Sequence, residues 1–425
     1  MQRGAGTARL TDQTTAVSSD VRRHNLSIVA SFLAANGPHS RSQLAAATGL
    51  TRGSVTALVG ALMDARLVTE STETLEPPND TAPAKGRPNT LLELSGDHLA
   101  ILALQLDAES VTALLTTVSG VPLLRIVENH GRPMGDPERV LEVLAAVLVR
   151  ALTESELIHR AIADLTVVVF APVAGDPPMV RGDSDLDWLA VDVIGALRAR
   201  IPDLDTVAAT IRLVSDGGLA ALAEFEQLDD VTDLLYLKSN SGIGGASIIA
   251  GELMLGWQGM AGAFGHLALY PQGSVCACGQ RGCLVTLAGP DVVLAAAGLN
   301  DVQSSEGLSV ALAEFVTRVR RGEPRASAAW ANAVNWISLA LHILVNATDP
   351  EVIVLGGFWA ELRDEIAAQF ALGGPTVFSE SQFRHPPVLA GVLGADAALL
   401  GAIRSARDRL LADPLAPGHS QATID

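Results

Sequence analysis

The chain has 425 residues, 48% of them hydrophobic and 18% charged, and a formal net charge of −18 at pH 7. At about 100–200 residues per domain that length suggests roughly two to four domains. The composition is that of a soluble globular protein with a large core, and no apolar run reaches the roughly 18 residues of a membrane span. The acidity argues against nucleic-acid binding by the chain as a whole, but it is unevenly spread. Residues 1–90 carry nine Lys/Arg and seven Asp/Glu, a balance of +2, and the remainder carries 20 and 40, a balance of −20. An acidic body with a neutral-to-basic head suggests two jobs.

The opening MQRGAGTARLTDQTTAVSSD (1–20) lacks the apolar segment of a secretory signal and reads as a disordered lead-in. The expected compartment is the cytoplasm, where three cysteines are thiols or metal ligands and not disulfides. VRRHNLSIVASFLAANG follows and puts Leu26, Ile28, Val29, Phe32 and Leu33 on one helical face, with Gly37 as a stop. Ser40 with Gln43 is a capping box opening a short helix that Gly49 ends. Thr51 is the N-cap of a third, amphipathic helix through Val55, Leu58, Val59 and Leu62. Three helices with one tight turn between the second and third make a helix-turn-helix. Two β-like runs around a Pro/Gly-rich loop then read as a wing. In this geometry the start of the third helix enters the major groove. Arg52, Ser54 and Thr56 would face bases or phosphates there, with Arg41 and Thr51 completing the set. Arg87 at the wing tip would reach the minor groove or a phosphate.

From about residue 98 the pattern changes. HLAILALQL and SVTALLTTVSGVPLLRI read as consecutive strands, RVLEVLAAVLVRALTES as a helix, and DLTVVVFAPVAGD as a buried strand. After the helix LAVDVIGALRARI come strand TIRLVSD and helix GLAALAEFEQL. A second cycle starts at DLLYLKSNSGIGGASIIAGELML, two strands around a Gly-rich turn. It ends with EVIVLGGFWAELRDEIAAQF: strand, Gly-Gly turn, helix. Strands and helices alternating twice over imply a duplicated α/β architecture. The expected division is 1–20 lead-in, 21–95 head, 96–220 first lobe, 221–410 second lobe and 411–425 tail. The apolar stretch AVNWISLALHILVNA is either core or an interface.

All three cysteines lie in GHLALYPQGSVCACGQRGCL, spaced C-x-C-x(4)-C, with His266 ten residues before Cys276. One imidazole and three thiolates make a saturated tetrahedral set, which in zinc proteins is structural and not catalytic. The alternative is buried free thiols beside an unrelated histidine. On the first reading His266, Cys276, Cys278 and Cys283 clip a loop around Zn2+.

These motifs together resemble the ROK family of repressors, open reading frames and kinases. CACGQRGCL is similar to the family's C-x-C-G-x-x-G-C-L-E zinc signature. FAPVAGD, SDGGLAALAE, SNSGIGGASIIAGELMLGWQGMAGAFGH and PEVIVLGG follow the family's segments in order. The resemblance implies an actin/hexokinase-like (ribonuclease H-like) two-lobe ATPase fold behind an N-terminal winged helix-turn-helix. It also implies that the zinc loop carries residues of a sugar pocket. Members with the head are transcription regulators, usually repressors released by a sugar, and a homodimer or homotetramer is expected.

Several positions depart from the family pattern. The first phosphate loop, D-x-G-x-T, is replaced by LQLDAESV, with Gln105 at the acidic position and Asp107 at the first glycine, or in a one-step alternative register Asp107 at the acidic position; the glycines are missing in both. Asp216 stands at the family's catalytic Asp, but the preceding Asn is Ser215. The Glu of G-E-x-G-H is Ala263, and the Glu after the last cysteine is Val285. A site that loses its hydroxyl-binding carboxylates loses discrimination for hydroxyls. Asp216 is either a remaining sugar-hydroxyl acceptor, with Ser215 and His266 beside it, or a helix N-cap. Glycines 242, 244, 245, 356 and 357 fit a phosphate cradle or ordinary tight turns. The expectation is a regulator that binds a double-stranded operator, senses a sugar-like effector and is not an enzyme. A ligand closing the cleft would change the spacing of two recognition helices in a dimer, which sit about one DNA turn apart. The alternatives are an ATP-dependent sugar kinase with an added DNA-binding domain and a ligand-independent DNA-binding protein.

Overall fold

The computed structural model describes residues 18–71, 90–132, 136–182, 188, 190–208, 210–373 and 385–416. Two compact units form, one from the described residues up to Asp97 with the chain's end from Asp408, the other from His98–Arg407.

The first unit holds α1 (Ser18–Asn36), β1 (His39–Ser40), α2 (Arg41–Thr48), α3 (Arg52–Asp64), β2 (Val68–Glu70) and β3 (Leu91–Leu94). Leu26, Val29 and Leu33 of α1 are buried with Leu44 of α2 and Val55, Val59 and Leu62 of α3. The capping box forms in both directions: the Gln43 amide donates to Ser40 Oγ at 3.3 Å, and the Ser40 amide donates to Gln43 Oε1 at 2.8 Å. Gly49 ends α2 at φ 72°, a left-handed conformation that glycine adopts without steric cost. Ser40→Ala removes one of these cap bonds and should cost about 1 kcal/mol. Faster hydrogen exchange at the Gln43 amide would report it. β3 pairs antiparallel with both β1 and β2, with Val68 opposite Leu94 and Ser40 opposite Leu91. The wing tip with Arg87 lies outside the described residues.

The second unit contains two five-stranded sheets. In the first lobe β4 (Leu99–Leu106), β5 (Ser110–Thr116) and β6 (Pro122–Asn129) make an antiparallel meander. After α4 (Pro137–Leu157), β7 (Ala161–Val169) adds parallel to β4. A short pair, β8 (Val173–Ala174) and β9 (Met179–Val180), precedes α5 (Val193–Arg200) and α6 (Leu204–Val207). β10 (Ile211–Ser215) then adds parallel to β7, and α7 (Asp216–Phe225) leads out of the lobe.

The second lobe repeats the plan. β11 (Leu234–Ser239), β12 (Ile243–Ile249) and β13 (Glu252–Leu253) form the meander. α8 (Leu284–Ala288), α9 (Pro290–Ala297), α10 (Asn300–Glu306), α11 (Leu308–Arg320) and α12 (Pro324–Thr348) precede β14 (Val352–Gly357), which is parallel to β11. α13 (Phe358–Glu361), α14 (Arg363–Leu372), the edge strand β15 (Val388–Ala390) and α15 (Ala397–Ala412) complete it. The spatial orders are β6-β5-β4-β7-β10 and β13-β12-β11-β14-β15, so the same topology occurs twice.

Each lobe has its own apolar core, and a third core joins them. Ala220 and Ala221 of α7 meet Ala402 and Ala406 of α15, with Ile101 of β4 and Tyr236 of β11. The two helices approach so closely that a Cβ on Gly401 would lie 2.0 Å from the Leu219 carbonyl oxygen. α12 is long and apolar enough, by composition, to cross a membrane, but half of its most apolar window is buried. Trp330, Ile337 and Leu341 enter the second lobe's core, while Leu339 and Ile343 face outward.

Candidate functional site

The four residues that could ligate a metal converge. A single 3-10 turn, Phe264–His266, sets the histidine. Bridges pairing Ala268 with Cys283 and Val275 with Arg281 fold the intervening loop back on itself. The tight return requires Gly282, at φ 62°, where a Cβ would sit 1.8 Å from the Tyr270 carbonyl oxygen. The ligand atoms of His266, Cys276, Cys278 and Cys283 lie within 4.8 Å of one another. His266 Nδ1 is 3.5 Å from Cys276 Sγ, and Cys278 Sγ is 3.6 Å from Cys283 Sγ. Tetrahedral zinc with Zn–S near 2.3 Å spaces its sulfurs about 3.8 Å apart, so the cluster fits such an ion. Burial lowers the His266 pKa, which keeps the imidazole neutral and able to ligate. Without a metal, burial and the neighbouring thiols push the Cys283 thiol up to about 12.

The same His266 lines a cavity of about 110 Å³ with Asp216, Lys238, Asn240, Ser241 and Asp291. A second cavity of about 270 Å³ adjoins Asp216 and His266 and carries Phe170, Met254, Leu255 and Met260. Ser215 lines this second cavity, as does Ala263, while Val285 lines the first. Ser215 is the N-cap residue of α7 and Asp216 its first helical residue, without a side-chain cap from Ser215. The Asp216 carboxylate forms a buried ion pair with Lys238. Burial raises the Asp216 pKa, the Lys238 ammonium pulls it down, and the net direction is upward.

The two hairpins over the cleft differ. At the β4–β5 turn Asp107 spends its carboxylate on the Ala108 amide at 3.0 Å, and Gln105 is buried in β4. At the β11–β12 turn, Gly242 and Gly244 have open space where a Cβ would go. Gly245 has none, since a Cβ there would meet the Tyr236 carbonyl oxygen at 2.1 Å. Gly356 makes room for the Tyr236 hydroxyl, and Gly357 turns the chain into α13 at φ 64°. Packing and turn geometry account for these last three glycines.

In the first unit Arg52, Ser54 and Thr56 are exposed on the opening turns of α3. Thr51 Oγ1 accepts from the Ser54 amide at 3.1 Å, and Thr56 donates to the Arg52 carbonyl at 2.9 Å. The Arg41 guanidinium contacts Met63 Sδ at 3.5 Å on the far end of α3.

Comparison with known proteins adds to this geometry. The ROK family pattern matches residues 124–409. The chain belongs to the ROK family. Among curated relatives, N-acetylmannosamine kinase of Shigella boydii is 28% identical over 206 residues, 48% of this chain and 65% of that protein. The Escherichia coli N-acetylmannosamine kinase is 30% identical over 215 residues, 50% of this chain and 68% of that protein. The chain thus spans about two thirds of the length of these relatives. Among solved structures, a ROK family transcriptional regulator, a homologue of the E. coli MLC protein, aligns with TM-score 0.69 at 21% identity. It covers 93% of this chain and 98% of its own. A ROK glucokinase from Streptomyces griseus, solved with glucose and AMPPNP, aligns with TM-score 0.60 at 20% identity, over 72% of this chain and 99% of its own. These likenesses establish the two-lobe ROK fold.

Three ROK-cleft residues escape a motif-based reading. Lys238 is a lone charge in the apolar strand LLYLKS, and that charge was its only signal. Glu109 and Arg132 carry no local signature at all. Their partners, the Leu308 amide and Asp291, come from distant parts of the chain.

Proposed function

We propose that this ROK chain is a DNA-binding transcription regulator, a repressor, whose two-lobe body senses a sugar or sugar derivative without phosphorylating it. The observation that carries the reading is the capped helix α3, which presents Arg52, Ser54 and Thr56 on its exposed face after the left-handed Gly49 turn. The first unit is the winged DNA-binding domain, the His98–Arg407 unit holds the effector-binding lobes, and the protein acts as a cytoplasmic homo-oligomer. Zn2+ held by His266, Cys276, Cys278 and Cys283 keeps the loop beside the effector pocket in place. Asp216, Ser215 and His266 face the effector.

The body is not a phosphotransferase on this reading. Phosphoryl transfer needs a cradle for phosphates and a free base for the acceptor hydroxyl. The first hairpin lacks the glycines, and the Asp216 carboxylate is held by Lys238. The kinase reading draws on the N-acetylmannosamine kinase relatives. ATP-dependent phosphorylation of N-acetylmannosamine or glucose by the purified chain would favour it.

The test is selection of genomic DNA fragments by the full chain at near-physiological salt, with and without a panel of sugars. Enrichment of a palindromic site supports the regulator, and loss of enrichment with one sugar names the effector. No enrichment under any condition defeats the reading, and enrichment indifferent to sugars favours a ligand-independent DNA-binding protein. Arg52→Ala should weaken operator binding by about 1–3 kcal/mol and relax preference at one base pair if it reads a base. If it instead contacts a phosphate, binding weakens evenly across sequences and the salt dependence flattens. Binding isotherms at several salt concentrations separate the two, and an unchanged variant would refute this placement of α3.

A further inference from the structure

One corner of the first lobe grips two helices of the second, and a third through them. The Glu109 carboxylate accepts from the Leu308 amide at 2.5 Å and the Ser309 amide at 3.4 Å, the first turn of α11. That helix has no cap of its own. Its N-cap residue is Gly307, at φ 95°, and a Cβ there would meet the Glu109 carboxylate oxygens at 3.2 Å. Beside it Arg132 forms a two-pronged ion pair with Asp291 of α9, both bonds 2.9 Å. Asp291 in turn accepts from Gln303 of α10 at 2.6 Å.

The gripping residues are themselves held. The Glu109 carbonyl accepts from the His130 amide at 2.9 Å and the Gly131 amide at 3.2 Å. His130 Nε2 is 3.0 Å from the Asp107 carbonyl. The β4–β5 hairpin and the end of β6 therefore form one rigid piece carrying both Glu109 and Arg132. Glu109 also lines two spaces at once. One is an inner cavity of about 390 Å³ with Asn240, Ser241 and Gly357. The other is an outer groove of about 840 Å³ with Arg132, Asp291 and Gln303.

We propose that Glu109 and Arg132 are a built-in clamp that holds the two lobes shut at this corner. A carboxylate is favoured at a helix N-terminus by the amides it satisfies and by the helix dipole. Here that anion is supplied by the opposite lobe, so closure of this corner needs no bound nucleotide or other anionic ligand. The contact is made only when the lobes are together. It thus has different free energies in the open and closed states, as any switch element must. A ligand that needs the open cleft has to compete with the clamp, and one that fits the closed cleft is helped by it.

The test uses the full chain with donor and acceptor dyes on unnatural residues replacing Val149 and Leu372, exposed positions on the first and second lobes. Amide exchange at Leu308 and Ser309 is followed in parallel. In Glu109→Gln/Arg132→Gln the inter-lobe distances should broaden toward longer values, and both amides should exchange severalfold faster. Unchanged distances would overturn the clamp, even with faster exchange, because Glu109 would then be only a helix cap. If the double variant does not fold, Glu109→Gln alone is read by the same two measurements. DNA binding is not part of the readout, so failure here leaves the regulator reading untouched.

Discussion

If the cluster holds zinc as proposed, Cys283→Ser should abolish stoichiometric zinc binding and cost the chain several kcal/mol. Cys283 is fully buried, and a metal lost from such a position leaves three donors facing one another with nothing between them. The backbone of the loop is also demanding. Gly282 stands at φ 62° against the Tyr270 carbonyl, a close return that glycine makes without strain and no other residue fits. Because His266 lies on the clip and on both cleft cavities, the damage should reach those cavities. The chain as purified should hold zinc by elemental analysis, and a chelator should lower its Tm. The sign with pH follows from the thiols. Without metal Cys283 stays protonated up to about 12, so zinc binding releases protons and strengthens as pH rises. A titration in weak buffer should acidify the solution. Full retention of zinc by the variant, or no zinc in the parent, would remove the metal from the account.

Lys238→Met should destabilise the chain by about 3–5 kcal/mol, the usual cost of leaving one member of a buried ion pair alone. The combined change Lys238→Met/Asp216→Asn should recover most of that, since neither variant side chain carries a charge. The pH dependence of the single variant has a definite direction. Burial already raises the Asp216 pKa, and removing the ammonium raises it further. A carboxyl whose folded pKa exceeds its unfolded value is least costly when protonated. The deficit should therefore be small below the unfolded pKa near 3.8 and grow as pH rises through the folded one. Urea denaturation between acid and neutral pH would show the single variant converging on the parent at low pH. Parallel curves across the whole range would mean that the carboxylate is not buried with its lysine.

What could be read in the residues was what local chemistry decides. The capping box at Ser40, the left-handed Gly49 and the Thr51 cap are each a short-range preference, and each stands as expected. The convergence of His266 with the three cysteines was legible because the four lie close together along the chain. The doubling of the α/β pattern was legible too, but not the strand orders, since β11 finds β14 more than a hundred residues later. The residues around Asp216 do not decide between acceptor and N-cap, because only the folded chain brings Lys238 to it. Val352 and Leu234 pair through backbone register that side-chain pattern alone does not encode. The short edge strands β13 and β15, two and three residues long, are too brief for an alternating pattern to show.

The alanine contact between α7 and α15 has a mechanical consequence. Side chains there are short, and Gly401 lets the helix axes come nearly into backbone contact. Such a seam has little interlocking relief, so turning one helix against the other displaces few atoms. If the lobes turn about this seam, the displacement grows with distance from it, as along a lever. A small rotation at position 401 becomes a large excursion at Glu109 and the helices it touches. A bulkier residue at 401 would act as a shim under the short arm and set the resting angle of the long one.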